Sequence, residues 1–190
     1  TAANNVFVGT DAGGANTTGT SNTFIGTSAG LLNVTGGANT FIGKSAGDAN
    51  TASDNTFVGA DAGGTNTTGT SNTFIGTSAG LLNVTGASNT FVGKGAGDAS
   101  TASDNSFYGA DAGGANTTGA SNTFVGTRAG LVNTTSSFNT FLGATAGDAN
   151  TGSLNTFLGY NSGGSNTTAS SNTYVGGNAG NINGSSFNTF

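Results

Sequence analysis

An aromatic residue returns along this chain every 16 or 17 positions, and no other feature restricts its fold as strongly. Phe7, Phe24, Phe41, Phe57, Phe74, Phe91, Phe107, Phe124, Phe141, Phe157, Tyr174 and Phe190 share one register. Asparagine stands two residues before each of them, as at Asn5, Asn22, Asn39, Asn55, Asn72, Asn89 and Asn188. Glycine stands two residues after each of the first eleven, and a second glycine four residues later. Alanine precedes that second glycine everywhere except at Ser162. A second asparagine follows three residues on, with Ser100 as the one exception. The unit reads Asn-Thr-Phe-β-Gly-x-x-Ala-Gly-x-x-Asn-Thr-x-x-x-x, where β is usually Val, Ile or Leu. A fixed period of this size marks a repeat array, in which each unit buries its apolar face only by stacking on its neighbours. Residues 1–190 form one such array.

A longer period of 50 lies over the short one. It divides the chain into blocks 1–50, 51–100 and 101–150 and a partial block 151–190. Blocks 1–50 and 51–100 differ at ten positions. Two coils fit this pattern, one of a single unit and one of three. Length variation falls only between the second asparagine and the next first asparagine, which marks a tolerant corner. The last block breaks the 17-17-16 order, and a 50-residue coil would have to keep it. A triangular coil of 50 residues would also have sides of roughly 50 Å at ~3.3 Å per residue. One Phe, one small aliphatic and one Ala per side cannot fill that interior at protein packing density. It would further stack Asp11, Asp61 and Asp111 like on like. The expected fold is therefore all-β, a parallel β-solenoid with 16–17-residue coils and 11–12 rungs, roughly 55 Å long at ~4.8 Å per rung.

Within a rung, Thr-Phe-Val/Ile is a short β-favouring run. Side chains alternate across a strand. An inward Phe makes an internal aromatic ladder, and Thr and Val/Ile then face out. The glycines suit corners with positive φ, and the regular asparagines suit a corner and can stack as amide ladders. The predicted structural ladder is Phe7 to Phe157 in the register above, with Asn22, Asn39, Asn72 and Asn89. The predicted interface is the outward apolar stripe Val8, Ile25, Ile42, Val58, Ile75, Val92 and Val125, because extended exposed apolar patches mark contact surfaces. It points to copies of the same chain as partner, as a trimer or a filament. The alternatives are a stripe that faces in, with Phe out, and a wide core that takes both.

Composition narrows function. There is no His, Cys, Pro, Met or Trp, all eight acidic residues are Asp, and the cations are Lys44, Lys94 and Arg128. Acid–base and nucleophilic catalysis draw mainly on His, Cys, Glu and Lys, so an enzyme is not expected. A net charge of −5 argues against nucleic acid, which requires a basic surface. No apolar run is long enough for a membrane span.

The motif Asn22-Thr23-Phe24-Ile25-Gly26-x-x-Ala29-Gly30-x-x-Asn33 resembles repeats of phage tail fibres and large bacterial surface proteins. It is also similar to the head repeats of trimeric autotransporter adhesins, whose units are shorter. The resemblance covers the whole chain. It implies a structural component of an extracellular fibre, filament or adhesin stalk, at the cell surface or on a virion fibre. Alternatives are a surface adhesin that binds glycan or a host receptor, and an ice-binding solenoid with an ordered Thr array. The array starts and stops in mid-repeat with no polar cap, which suits a piece of a longer array or ends that stack. Asn-x-Ser/Thr sequons make Asn16, Asn33, Asn66, Asn83, Asn116, Asn133, Asn166 and Asn183 candidate glycosylation sites. No cofactor is expected. Calcium is the one candidate, through Asp11, Asp61, Asp111, Asp48, Asp98 and Asp148, although the Gly-Gly-x-Gly-x-Asp spacing of a calcium roll is lacking. Lys44 and Asp48 are expected to pair at a corner.

Overall fold

A computed structural model describes residues 2–182 and 184–190. Among these described residues there are eleven three-residue strands and no helix. They are β1 (Val6–Val8), β2 (Thr23–Ile25), β3 (Thr40–Ile42), β4 (Thr56–Val58), β5 (Thr73–Ile75), β6 (Thr90–Val92), β7 (Ser106–Tyr108), β8 (Thr123–Val125), β9 (Thr140–Leu142), β10 (Thr156–Leu158) and β11 (Thr173–Val175). They form one sheet in chain order. Every pairing is parallel and in register, so Thr lies beside Thr, Phe beside Phe and aliphatic beside aliphatic, as in Thr23↔Thr40, Phe24↔Phe41 and Ile25↔Ile42. A parallel bridge from Thr173 to Thr189 begins one more rung. The chain is the expected β-solenoid, and one 16–17-residue unit makes one coil.

The strands are short because each is closed by a glycine with φ near +140°, such as Gly26 and Gly43. A Cβ on Gly9 would lie 2.6 Å from the Gly26 carbonyl oxygen of the next rung. The backbones approach too closely there for any side chain. The chain then turns twice. Ala12 N–H donates to the Gly9 carbonyl and Gly14 N–H to the Asp11 carbonyl. Asp11 and Gly13 both have φ near +60°, the positive φ that a type II turn demands at its third residue. Rung-to-rung hydrogen bonds continue outside the sheet. Ser28 N–H donates to the Thr10 carbonyl at 2.9 Å, Gly13 N–H to Ala29 at 2.9 Å, and Leu32 N–H to Asp48 at 2.8 Å. Backbone groups off the strands are thus paired as well.

The core is narrow: one aromatic ring and one alanine per rung. Phe24 through Phe157 and Tyr174 are buried, as are Ala29, Ala46, Ala62 and their counterparts. Twelve rings form one stack, with centroids 4.7–5.3 Å apart. Eleven steps of about 4.8 Å give a rod of roughly 53 Å, since the strand spacing of a sheet sets the ring spacing. Parallel rings at this separation are offset, the arrangement their quadrupoles favour. The aromatic ladder is as expected, and Val/Ile faces out.

The first asparagine of each unit works differently from a stacked amide ladder. Asn22 Oδ1 accepts the backbone N–H of Asn39 at 2.9 Å, Asn39 Oδ1 that of Asn55, and Asn72 Oδ1 that of Asn89. The same bond recurs from Asn5 to Asn188. The residue before each of these asparagines has positive φ, as Ser21, Ala38 and Asp54 do. That twist takes the next N–H out of the backbone ladder, and a side-chain oxygen one rung back replaces the missing acceptor. The amide nitrogen is used too. Asn22 Nδ2 donates to the Gly36 carbonyl at 2.8 Å, and Asn33 Nδ2 donates to the same oxygen at 3.0 Å. Both asparagines of that rung thus clamp one carbonyl, as Asn55 and Asn66 do at Gly69 and Asn105 and Asn116 at Gly119, at the corner where unit length varies. In a 16-residue unit the second asparagine reaches two residues ahead instead of three, Asn50 Nδ2 to the Ala52 carbonyl at 2.8 Å, and the shorter corner closes on the same clamp.

Candidate interaction surface

Two outward faces carry apolar side chains. The strand face presents Thr and an aliphatic on every rung but two: β1 presents Val6 and Val8, and β7 presents Ser106 and Tyr108. Val8, Ile25, Ile42 and Ile75 are exposed, while Val58, Val92 and Val125 are half-buried. All seven predicted interface residues thus line one row. The neighbouring row consists of the strand threonines. Among the described residues their hydroxyls make no hydrogen bond within the protein. Threonines at the corner behave otherwise: Thr51, Thr65, Thr67, Thr101 and Thr117 donate to carbonyls one rung on. The strand face is therefore a regular grid of free hydroxyls and methyl groups, repeating at the rung spacing and free of charge.

The second face lies beyond the Ala-Gly turn. Leu32 and Val34 flank the buried Asn33 and both are exposed, as are Leu82, Val84 and Val132. These large aliphatics occur on one rung in three. Leu32, Leu82 and Val132 share one column of the coil, and Val34 and Val84 share another.

The charged side chains, apart from Asp54 and Asp104, sit in the double turn. Asp48 and Asp98 have carboxyls raised above their ordinary value. Burial is the larger cause, and the Asp61 or Asp111 carboxylate is the second. One oxygen of each is buried without a hydrogen-bond partner. Lys44 does not pair with Asp48. The one ion pair among the described residues is Arg128 with Asp148, at 3.2 Å. For calcium, the carboxylates meet only in twos. No group of three acidic residues converges among the described residues, whereas the ion takes six to eight oxygens.

The sequon asparagines are turned inward. Asn33, Asn66, Asn83, Asn116, Asn133 and Asn166 are fully buried and Asn16 is half-buried. Their amide nitrogens lie inside the coil, where Asn66 Nδ2 donates to the Gly69 carbonyl and Asn116 Nδ2 to Gly119. A glycan on Asn33, Asn66, Asn116 or Asn166 would have to replace the hydrogen bond that Nδ2 makes inside the rung. Asn183 lies outside the described residues. No described helix is long and apolar enough to cross a membrane.

No protein-family model matches this sequence, and neither a curated protein nor a solved structure is similar to it.

Proposed function

We propose that this chain is a structural rod segment of an extracellular fibre, filament or adhesin stalk, which associates with copies of itself. One observation carries this reading. The fold devotes its inward positions to an aromatic, alanine and asparagine ladder that repeats with few exceptions, and leaves uncharged rows along the strand face. Such a molecule sets distance and presents a surface. The likeness of Asn22-Thr23-Phe24-Ile25-Gly26 to fibre and adhesin repeats supports the same reading, and with it a place at a cell surface or on a virion. Electron microscopy and surface fractionation of native material test it. Extended rods or stalks at a surface are the expected result, and a dispersed intracellular protein overturns it.

The free strand hydroxyls favour a second reading, an ice-binding grid, because an ordered rank of hydroxyls and methyls can order water. A thermal-hysteresis measurement on the 190-residue chain decides it. Ice growth faceted or arrested at micromolar protein supports this reading, and unchanged ice growth removes it.

A further inference from the structure

The three-rung period has an internal cause at one column and none at its neighbour. Leu31 lies over Gly14 of the preceding rung, where a Cβ would come 3.0 Å from the leucine Cδ1. Leu81 over Gly64 and Leu131 over Gly114 repeat this at 3.1 and 3.3 Å. Leucine in that column is thus matched by glycine beneath it. The next column has no such match. Leu32, Leu82, Val132 and Ile182 are 51, 47, 43 and 89% exposed. They recur every 50 residues, and this column keeps a large aliphatic in the fourth block although its neighbour has become Asn181. Between them the same column holds small residues: Ala49 and Thr65, then Ala99 and Ala115, then Ala149 and Ser165. The face is a row of ridges about 14 Å apart, three rungs of the sheet spacing, with two-rung gaps between.

We propose that this face is an interface between two copies of this chain, side by side and antiparallel about a two-fold axis, with the ridges of each seated in the gaps of the other. The argument for a second copy is commensurability. A partner can fill successive gaps only if it carries the same three-rung repeat, and another copy carries it by construction. A two-fold arrangement places the same residues on both sides and closes the pair. The contact extends about 50 Å along the rod and ~12 Å across, so it buries roughly 1,200 Å² in total, the lower bound for a specific complex. Each further block would add a ridge. The proposal deepens the self-association in the preceding reading and rests on it, but not on where the rod resides.

Sedimentation of the 190-residue chain over a range of concentrations tests it. The unaltered chain is expected to show reversible dimers. Replacing the ridges, Leu32→Ser with Leu82→Ser, Val132→Ser and Ile182→Ser, should weaken the dimer at least tenfold while the circular-dichroism melt is kept. Filling the gaps, Ala49→Leu with Ala99→Leu and Ala149→Leu, should weaken it as much, although apolar surface is added. This column already accepts Leu on other rungs, so the coil tolerates the change. Ile25→Thr with Ile42→Thr and Ile75→Thr, on the strand face, should leave it intact. A chain that stays monomeric, or gap-filled variants that pair as tightly as the parent, overturn the proposal. Native surface fibres together with indifferent ridge variants would leave the proposed function standing and remove this interface. Ridge-dependent dimers from a chain found inside cells would do the reverse.

Discussion

Asn72 illustrates how much one side chain does in a coil this thin. Its Oδ1 accepts the Asn89 N–H at 2.9 Å and its Nδ2 donates to the Gly86 carbonyl at 2.8 Å. Both bonds cross to the next rung and both are buried. Asn72→Ala leaves a buried N–H and a buried carbonyl unpaired, at about 1–3 kcal/mol each. The expected loss is about 2–4 kcal/mol, read from urea unfolding. Asn72→Asp keeps the acceptor, loses the donor and buries a charge, so it should unfold more easily than the alanine variant at neutral pH and recover at acid pH. Leu154 is the opposite case. It has φ +62° and is 59% exposed, in the column that Ser21, Ser71 and Ser121 fill elsewhere. A left-handed conformation costs a residue with a Cβ roughly 1–2 kcal/mol, and part of that gain is offset by the greater freedom of glycine when unfolded. Leu154→Gly should therefore raise stability by about 0.5–1 kcal/mol, or a few degrees of melting temperature.

At the scale of the element, the turn separates two glycine positions that have the same φ. Gly80, with φ +58°, follows Ala79, and a Cβ on it would lie 2.6 Å from the Phe74 ring. Gly95, with φ +65°, stands two residues before Gly97, where the Cβ would meet only the end of the Asp111 side chain. The first position cannot give way, because the ring is held in the stack between Phe57 and Phe91. Gly80→Ala should cost about 2–4 kcal/mol, combining left-handed strain with overpacking. Gly95→Ser should change stability by less than about 1 kcal/mol, since the strain is the same but the neighbour moves. Chemical denaturation of the two variants side by side checks the contrast. The same distinction shows what the sequence made legible. Glycine at Gly80 and its counterparts is invariant along the chain, so a corner there could be read directly. The left-handed position two residues earlier is filled by Asp11, Ser28, Arg128 and Thr145, and no residue type betrays it. The inward Phe and outward Ile were legible from alternation. The asparagine clamp was legible as a corner but not as a bond, because its partner lies 14 residues away. The proximity of Asp48 to Asp61 was hidden for a related reason. They occupy different columns of neighbouring rungs, and aligning the units column by column keeps them apart.

Those two acid pairs give the whole rod a pH-dependent contribution to its stability. In a solenoid each rung is held only by its neighbours, so a local cost is felt as the coupling of two adjacent rungs. Asp48 sets such a coupling between β3 and β4, and Asp98 between β6 and β7. Both carboxyls are raised in the folded chain, first by burial and then by the acid on the next rung. The folded state thus binds the proton more tightly than the unfolded state does. Stability from these groups is complete below the unfolded value of 3.8 and is lost as pH rises through the higher folded value. Above that folded value the ionised form of each carries the cost of its burial and of the acid on the next rung. Asp48→Asn with Asp98→Asn should therefore raise the melting temperature at pH 7 and leave it unchanged near pH 3, where the parent carboxyls are already neutral. The difference between variant and parent, followed across pH, is the informative quantity. An equal gain at both pH values would mean that asparagine improves the packing. A gain that appears only as pH rises assigns it to the charge, and a medial pair of rungs would then be the weakest coupling of the rod at neutral pH.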